Sequence, residues 1–178
     1  MRVAVVLVTL LLIGAALSAQ TPKIGVGAFG GLSIPVAQDD QASGTEFGFR
    51  ARVKLAFITF EPNFTLSKWG QADPPVGITT MPDGSKVTAF GVDALLGGAP
   101  GVVGFKPYFV IGAASYKVKN DDTKFEETDL GFSGGLGVML GLTPKFDVDV
   151  RGKAVVIPME DGGSKKAISV IAGVAINL

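Results

Sequence analysis

The sequence predicts an all-β chain that closes as an eight-stranded antiparallel up-and-down transmembrane β-barrel. Three observations carry that expectation. Apolar residues recur with period two rather than 3.6 from residue 23 onward. Turn-forming residues punctuate the chain into eight such runs, an even number. Glycine is abundant, 25 of 178 residues, about twice the usual share near 7%, and many of these glycines lie inside the apolar runs rather than between them.

The N-terminal segment is read separately. Arg2 is followed by an apolar run from Val3 to Ile13, and small residues crowd its end at Gly14, Ala15, Ala16, Ser18 and Ala19. That order of charge, apolar core and small residues is a secretory signal peptide, and the run is short for a spanning helix, which needs about 20 residues. The expected division is a removable signal at 1–19 and a barrel domain over 20–178. The chain has 16 Lys and Arg, one of them Arg2, against 16 Asp and Glu. Such balance excludes the basic excess of a nucleic-acid binder. An exported domain without cysteine lacks the staples small extracellular folds often use, and a membrane is one alternative source of stability.

Strands are expected near 23–34, 45–60, 64–70, 86–97, 104–118, 128–142, 146–157 and 166–178. The clearest alternation sets Phe47, Phe49, Ala51, Val53, Leu55 and Phe57 against Gly48, Arg50, Arg52 and Lys54. Phe146, Val148 and Val150 oppose Asp147, Asp149, Arg151 and Lys153. Leu130, Phe132, Leu136, Val138, Leu140 and Leu142 oppose Asp129, Gly131, Ser133, Gly135, Gly137 and Gly141. In the last run Ile168, Val170, Ala172, Val174, Ile176 and Leu178 oppose Ser169, Gly173, Ala175 and Asn177. The connections 35–44, 71–85, 119–127 and 158–165 are long and polar, whereas 61–63, 98–103 and 143–145 are shorter. Long loops at one end and short turns at the other is the layout of membrane barrels.

One register conflict arises. Glu61-Pro62-Asn63-Phe64 resembles Thr143-Pro144-Lys145-Phe146, and proline is disfavoured inside a paired strand. A turn at 61–63 requires a β-bulge near Phe57-Ile58 to absorb one residue. The alternative is a tight turn at Ala56-Phe57 with Pro62 in mid-strand. The bulge is favoured.

The character of the less apolar face decides which side meets lipid. In a soluble lipocalin-like barrel that face would meet water and carry long charged side chains. Here it is mainly Gly, Ser and Ala in the first, sixth and eighth runs, which suits a cramped eight-strand lumen. Its charges come in both signs. Arg50, Arg52, Lys54, Arg151 and Lys153 are expected to meet Asp93, Asp129, Asp147 and Asp149 in a structural lumen network, since buried charges need partners. A plug is favoured over an ion path because eight strands leave little space. Trp69, Tyr108 and Tyr116 are expected at headgroup level.

Four stretches, GVDALLGG (91–98), KPYFVIGAASY (106–116), GFSGGLGVMLGLTPKFDVDVRGKAV (131–155) and VIAGVAINL (170–178), make the chain resemble the small outer-membrane β-barrels of the outer-membrane protein X type and the barrel domain of outer-membrane protein A. The resemblance covers nearly all of 23–178. It implies a bacterial outer-membrane location, both termini in the periplasm, four surface loops and contact with outer-membrane lipid. It also implies that barrel-assembly machinery reads the last strand at Gly173, Ile176 and Leu178. Leu178 departs from the usual closing aromatic.

Chemistry is sparse. Some barrels of this size are lipid-modifying enzymes using His, and this chain has neither His nor Cys. GVGAFGG (25–31) lacks the strand–turn–helix context of a phosphate loop. Asn120-Asp121-Asp122 and Glu160-Asp161-Gly162 fit no calcium-loop spacing and read as solvated acidic loops. No catalytic residue, cofactor or metal is expected. The expected role is structural or surface-interacting, with possible ligands met through the loops. A small channel or transporter and a soluble periplasmic carrier are the alternatives.

Overall fold

The computed structural model describes residues 23–36, 41–55, 57–71, 84–97, 100–120, 124–159 and 163–178. Eight strands follow in order: β1 (Lys23–Val36), β2 (Gln41–Leu55), β3 (Ile58–Gln71), β4 (Lys86–Leu96), β5 (Gly104–Asn120), β6 (Phe125–Thr143), β7 (Phe146–Pro158) and β8 (Ser164–Asn177). Each pairs antiparallel with its sequence neighbour, and β1 pairs with β8, so the sheet is a closed barrel. Closure is what hydrocarbon demands: an unpaired backbone polar group there costs several kcal/mol. The expected signal peptide, 1–19, lies outside the described residues.

Alternation sets the two faces. Phe47, Phe49, Phe90, Phe105, Phe109, Phe132 and Leu136 are each more than half exposed, and they share outward parity along their strands. Arg50, Arg52, Asp147, Asp149 and Arg151 are buried at the opposite parity. A soluble carrier would reverse this, so that alternative falls. The apolar outer wall is contiguous over the strands, and only lipid accommodates such a surface without aggregation.

The favoured register near Phe57 is corrected. Leu55 pairs with Ile58, so the chain turns from β2 to β3 at Phe57, which is 77% exposed. Pro62 lies in mid-strand, opposite Val92 of β4. Among the described residues the register of β2 and β3 shifts at Ala42/Thr45, far from Phe57. Placing Phe57 in the turn removes the parity conflict: Ile58, Phe60 and Phe64 face outward, and Thr59, Glu61 and Asn63 are buried. The ladder with β2 is interrupted between Arg50↔Asn63 and Val53↔Phe60, on either side of Pro62, whose nitrogen has no hydrogen to donate. The look-alike segment does turn. There Lys145 N donates to Thr143 Oγ1 at 3.2 Å.

Strands also run further than expected toward the end remote from the termini, leaving connections of 37–40, 72–85, 121–124 and 159–163. The β5–β6 pair extends to Asn120↔Phe125. Three of the four expected long connections are therefore shortened by strand, while the one after β3 keeps nearly its full length. At the other end the β4–β5 connection is the elaborate one. Gly97, Gly101 and Gly104 all have positive φ, where L-residues are disfavoured, and Pro100 is fully buried.

Depth along β8 gives a test. Val170→Arg on the lipid wall should lower the unfolding free energy in vesicles by about 2–4 kcal/mol, whereas Ser164→Arg at the rim of the same face should cost about 0–1 kcal/mol. Urea titration of both variants measures the difference.

Candidate functional site

The lumen concentrates the polar residues of the described chain. β2 supplies Arg50 and Arg52, β3 supplies Glu61, β4 Asp93, β5 Tyr108, and β7 Asp149, Arg151 and Lys153. The strand alternation forces all of them inward, and the small bore brings them together.

Two carboxylates organise the cluster. Glu61 accepts from Arg52 Nε at 2.7 Å and from Arg151 Nη2 at 2.9 Å, with Arg151 Nη1 also 2.7 Å from its Oε1. Arg50 Nε lies 3.8 Å away. Asp149 accepts from Arg52 Nη2 at 2.8 Å, Arg151 Nη2 at 3.2 Å and Tyr108 Oη at 2.9 Å, and Arg50 Nη2 donates to it as well. Asp93 joins Lys153 at 2.9 Å and Arg151 at 3.3 Å. Arg50 stacks over Phe29 and Arg151 over Tyr108, with 5.4 and 5.6 Å from guanidinium carbon to ring centroid. Arg52 is 0% and Arg151 1% exposed. Planar guanidinium groups suit such a site because one fork can serve two carboxylates and still stack on a ring.

The remaining sequence-predicted residues fall elsewhere. Asp147 is buried at the mouth on the side of the C-terminal residue, where it accepts from Asn177 Nδ2 at 2.8 Å and from the Gly101 backbone N–H at 3.1 Å. It therefore anchors the 97–103 connection rather than the ion cluster. Asp129 is buried on β6 opposite Tyr116. Lys54 is half-buried near the start of the lumen and stands apart from the cluster. Gly173 faces inward, while Ile176 and Leu178 face outward and are 54% and 83% exposed.

Glycine supplies the counter-surface for the large polar groups. A Cβ on Gly173 would lie 2.2 Å from Arg50 Nη2, and one on Gly112 would lie 2.0 Å from Asp93 Oδ1. A Cβ on Gly137 would meet the Tyr108 ring at 2.3 Å. Glycine richness and ionic content are thus linked in the lumen, since Arg50, Asp93 and Tyr108 each occupy the space of a missing side chain.

The aromatic girdle expectation is corrected. Trp69 and Tyr108 are each 2% exposed, and Trp69 Nε1 donates to Ser33 Oγ at 2.8 Å. Tyr116 packs against the inward cluster of Trp69, Val87, Val118 and Ala167. All three share the parity of lumen residues: Trp69 with Glu61 and Asn63, the two tyrosines with Gly112. Sequence reasoning also missed Glu61, hidden by its assignment to a turn, and Glu46. Glu46 is buried and accepts from Ser67 at 3.4 Å and from Ser169. Its parity with Gly48 and Arg50 was the available signal.

Above the ion cluster a cavity of about 40 Å³ lies among Glu46, Ser169, Trp69, Tyr116 and Lys153. That admits water but not a solute the size of benzene, for which a cavity of about 150 Å³ is needed. The segments around Asp121 and Glu160 lie outside the described residues.

A closed antiparallel barrel with a lipid-facing apolar wall and an ionic interior is a transmembrane β-barrel of the bacterial outer membrane. The profile of the outer membrane protein beta-barrel domain family matches residues 4–175, and the chain belongs to that family. In fold it is similar to Neisserial surface protein A, at 17% identity and TM-score 0.70, covering 88% of this chain and 99% of that one. It is also similar to the N-terminal barrel domain of Pseudomonas aeruginosa OprF, at 19% identity and TM-score 0.57 over 88% and 97% of the two chains. Pseudomonas aeruginosa OprG matches at 13% identity and TM-score 0.53 over 88% and 95%. A comparison with curated protein sequences found no match.

Two substitutions test the interior. Glu61→Gln removes a carboxylate from among three arginines, and leaving buried charge uncompensated should cost about 3–5 kcal/mol in urea unfolding. Gly173→Ala should cost about 1–3 kcal/mol by overpacking, and the loss should shrink in an Arg50→Ala background if Arg50 is what the new methyl strikes.

Proposed function

We propose that this protein is a non-conducting, non-enzymatic barrel with a structural or surface-interaction role, whose interior is a permanent ionic plug. The observation that carries this reading is the Glu61–Asp149–Arg151 cluster. It joins residues of β2, β3, β4, β5 and β7 across the bore, and its members spend their hydrogen bonds on one another rather than on a passage. The buried Pro100 and the Gly101–Asp147 contact beneath it support the same reading at the periplasmic mouth.

In this reading Arg50, Arg52, Asp93, Asp149, Arg151 and Lys153 are structural, with Glu61 added. Asp147 serves the mouth, and Lys54 and Asp129 are peripheral. Residues 1–19 direct export. Gly173, Ile176 and Leu178 are read by the barrel-assembly machinery, and Gly173 has a second task in clearing space for Arg50. Surface ligands meet the connections 37–40, 72–85, 121–124 and 159–163. The small cavity counts against a carrier for apolar molecules.

Planar-bilayer recording tests the plug. The wild-type chain should show no steady unitary conductance, and Arg151→Met should lower stability without creating a selective current. A resolved wild-type conductance whose ion selectivity changes in Arg151→Met would replace the plug with a channel.

A further inference from the structure

In the ion cluster and the cavity above it, Arg50, Arg52, Arg151 and Lys153 are matched in number by Glu46, Glu61, Asp93 and Asp149. Asp147 stands outside that balance. It is fully buried at the mouth on the side of the C-terminal residue, and among the described residues it enters no ion pair. Its two donors are neutral, the Asn177 amide and the Gly101 backbone N–H, and both reach Oδ2. Lys106, the lysine nearest to Gly101 in sequence, donates instead to the carbonyls of Val102 and Gly104. A buried carboxylate with no positive partner is strongly unfavourable.

Two oxygens at this spot lack a donor. Asp147 Oδ1 and Asn177 Oδ1 are buried with no hydrogen-bond partner among the described residues. Donation from Asn177 Nδ2 to Asp147 Oδ2 fixes the amide, because a flipped one would set oxygen against oxygen. The backbone N–H of Asn177 donates to the carbonyl of Lys145 at 2.9 Å, which ties the last strand to the β6–β7 turn beside Asp147.

Glycine keeps side chains off these oxygens. A Cβ on Gly25 would lie 2.9 Å from Asn177 Oδ1, and one on Gly101 would lie 3.0 Å from the carbonyl oxygen of Pro144. Gly101 is half-buried and Pro144 exposed, so the oxygens sit just beneath the rim. No group of three or more His, Cys, Asp or Glu side chains that could hold a metal occurs among the described residues. This spot is of another kind, with one carboxylate, one amide oxygen and one backbone carbonyl. Those are ligands of a hard cation.

We propose that Asp147, Asn177 and the carbonyl of Pro144 seat a calcium ion at the mouth, with Asp147 Oδ1 and Asn177 Oδ1 as its side-chain ligands. The ion supplies the positive partner that Asp147 lacks, and water completes its shell from the solvent side. Calcium suits the set better than magnesium, which demands near-ideal octahedral geometry, and a single carboxylate places the site in the weak class, with Kd of about 10⁻⁴–10⁻³ M. Bound there, the ion joins β8 to the β6–β7 turn and the 97–103 connection.

The test uses the folded full chain in dodecyl maltoside after metal removal, dialysed against radioactive calcium chloride at constant ionic strength. The wild-type chain should bind calcium with Kd near 1 mM, and at about 10 mM calcium its unfolding equilibrium constant in urea should fall about tenfold. Asp147→Asn should lose one calcium per chain and the calcium-dependent stability. Asp129→Asn, which alters a second buried carboxylate with an unpartnered oxygen, should lose neither. If heat-modifiable migration shows that Asp147→Asn does not fold, Asn177→Asp decides, since a second carboxylate should tighten calcium binding about tenfold. No calcium bound to the wild type, equal binding in Asp147→Asn, equal loss in Asp129→Asn, or unchanged affinity in Asn177→Asp would each overturn the site. So would an infrared band of a protonated Asp147 at neutral pH in calcium, because a proton would then serve in place of the ion.

Discussion

Backbone hydrogen bonding in hydrocarbon is the constraint from which the rest follows. A sheet in lipid cannot leave an edge open, so the first and last strands must meet, and eight strands close around a bore barely wider than its own side chains. That closure dictates two unlike surfaces. The outer one is free to be large and apolar, as at Phe49, Phe90, Phe105 and Phe109. The inner one has to fit, and it does so in part by letting bulky groups lie against residues without side chains, as Arg50 lies against Gly173 and Tyr108 against Gly137.

Charge in so narrow an interior is constrained in turn. A lone buried arginine would be strongly unfavourable, and a buried ion pair is not by itself a large source of stability. In the reading proposed above, what the cluster supplies is specificity of closure. Arg50 reaches Asp149 across 99 residues of sequence and Arg151 reaches Glu61 across 90. These contacts are satisfied only when β2, β3 and β7 hold one register. A shift by one residue in any of them would turn a guanidinium or a carboxylate into lipid. The ionic interior thus penalises wrong barrels more than it rewards the right one.

Much of this was legible in the chain. The parity of Phe47 to Leu55 against Gly48 to Lys54, and of Phe146 to Val150 against Asp147 to Lys153, identified the lipid and lumen faces before any coordinates. What was not legible had local causes. Proline's poor fit in strands argued for a turn at Pro62, but a barrel position that forgoes one ladder bond tolerates it when the neighbouring Glu61 is needed among the arginines. The aromatic residues misled for a different reason. Trp69 and Tyr108 are amphipathic, so composition favours the interface, yet a nearby hydrogen-bond acceptor such as Ser33 or Asp149 satisfies the polar atom equally well inside the bore. Such acceptors come from other strands, and only the closed sheet brings them near.

The seam between β1 and β8 has a consequence in time. The backbone N–H of Leu178 donates to the carbonyl of Ile24 at 2.8 Å, so the sheet is closed only once strands far apart in sequence have met. Until that moment both margins of the nascent sheet remain sticky, ready to recruit a stray strand from another polypeptide. A chain interrupted before β8 would keep two open edges, which hydrocarbon does not tolerate.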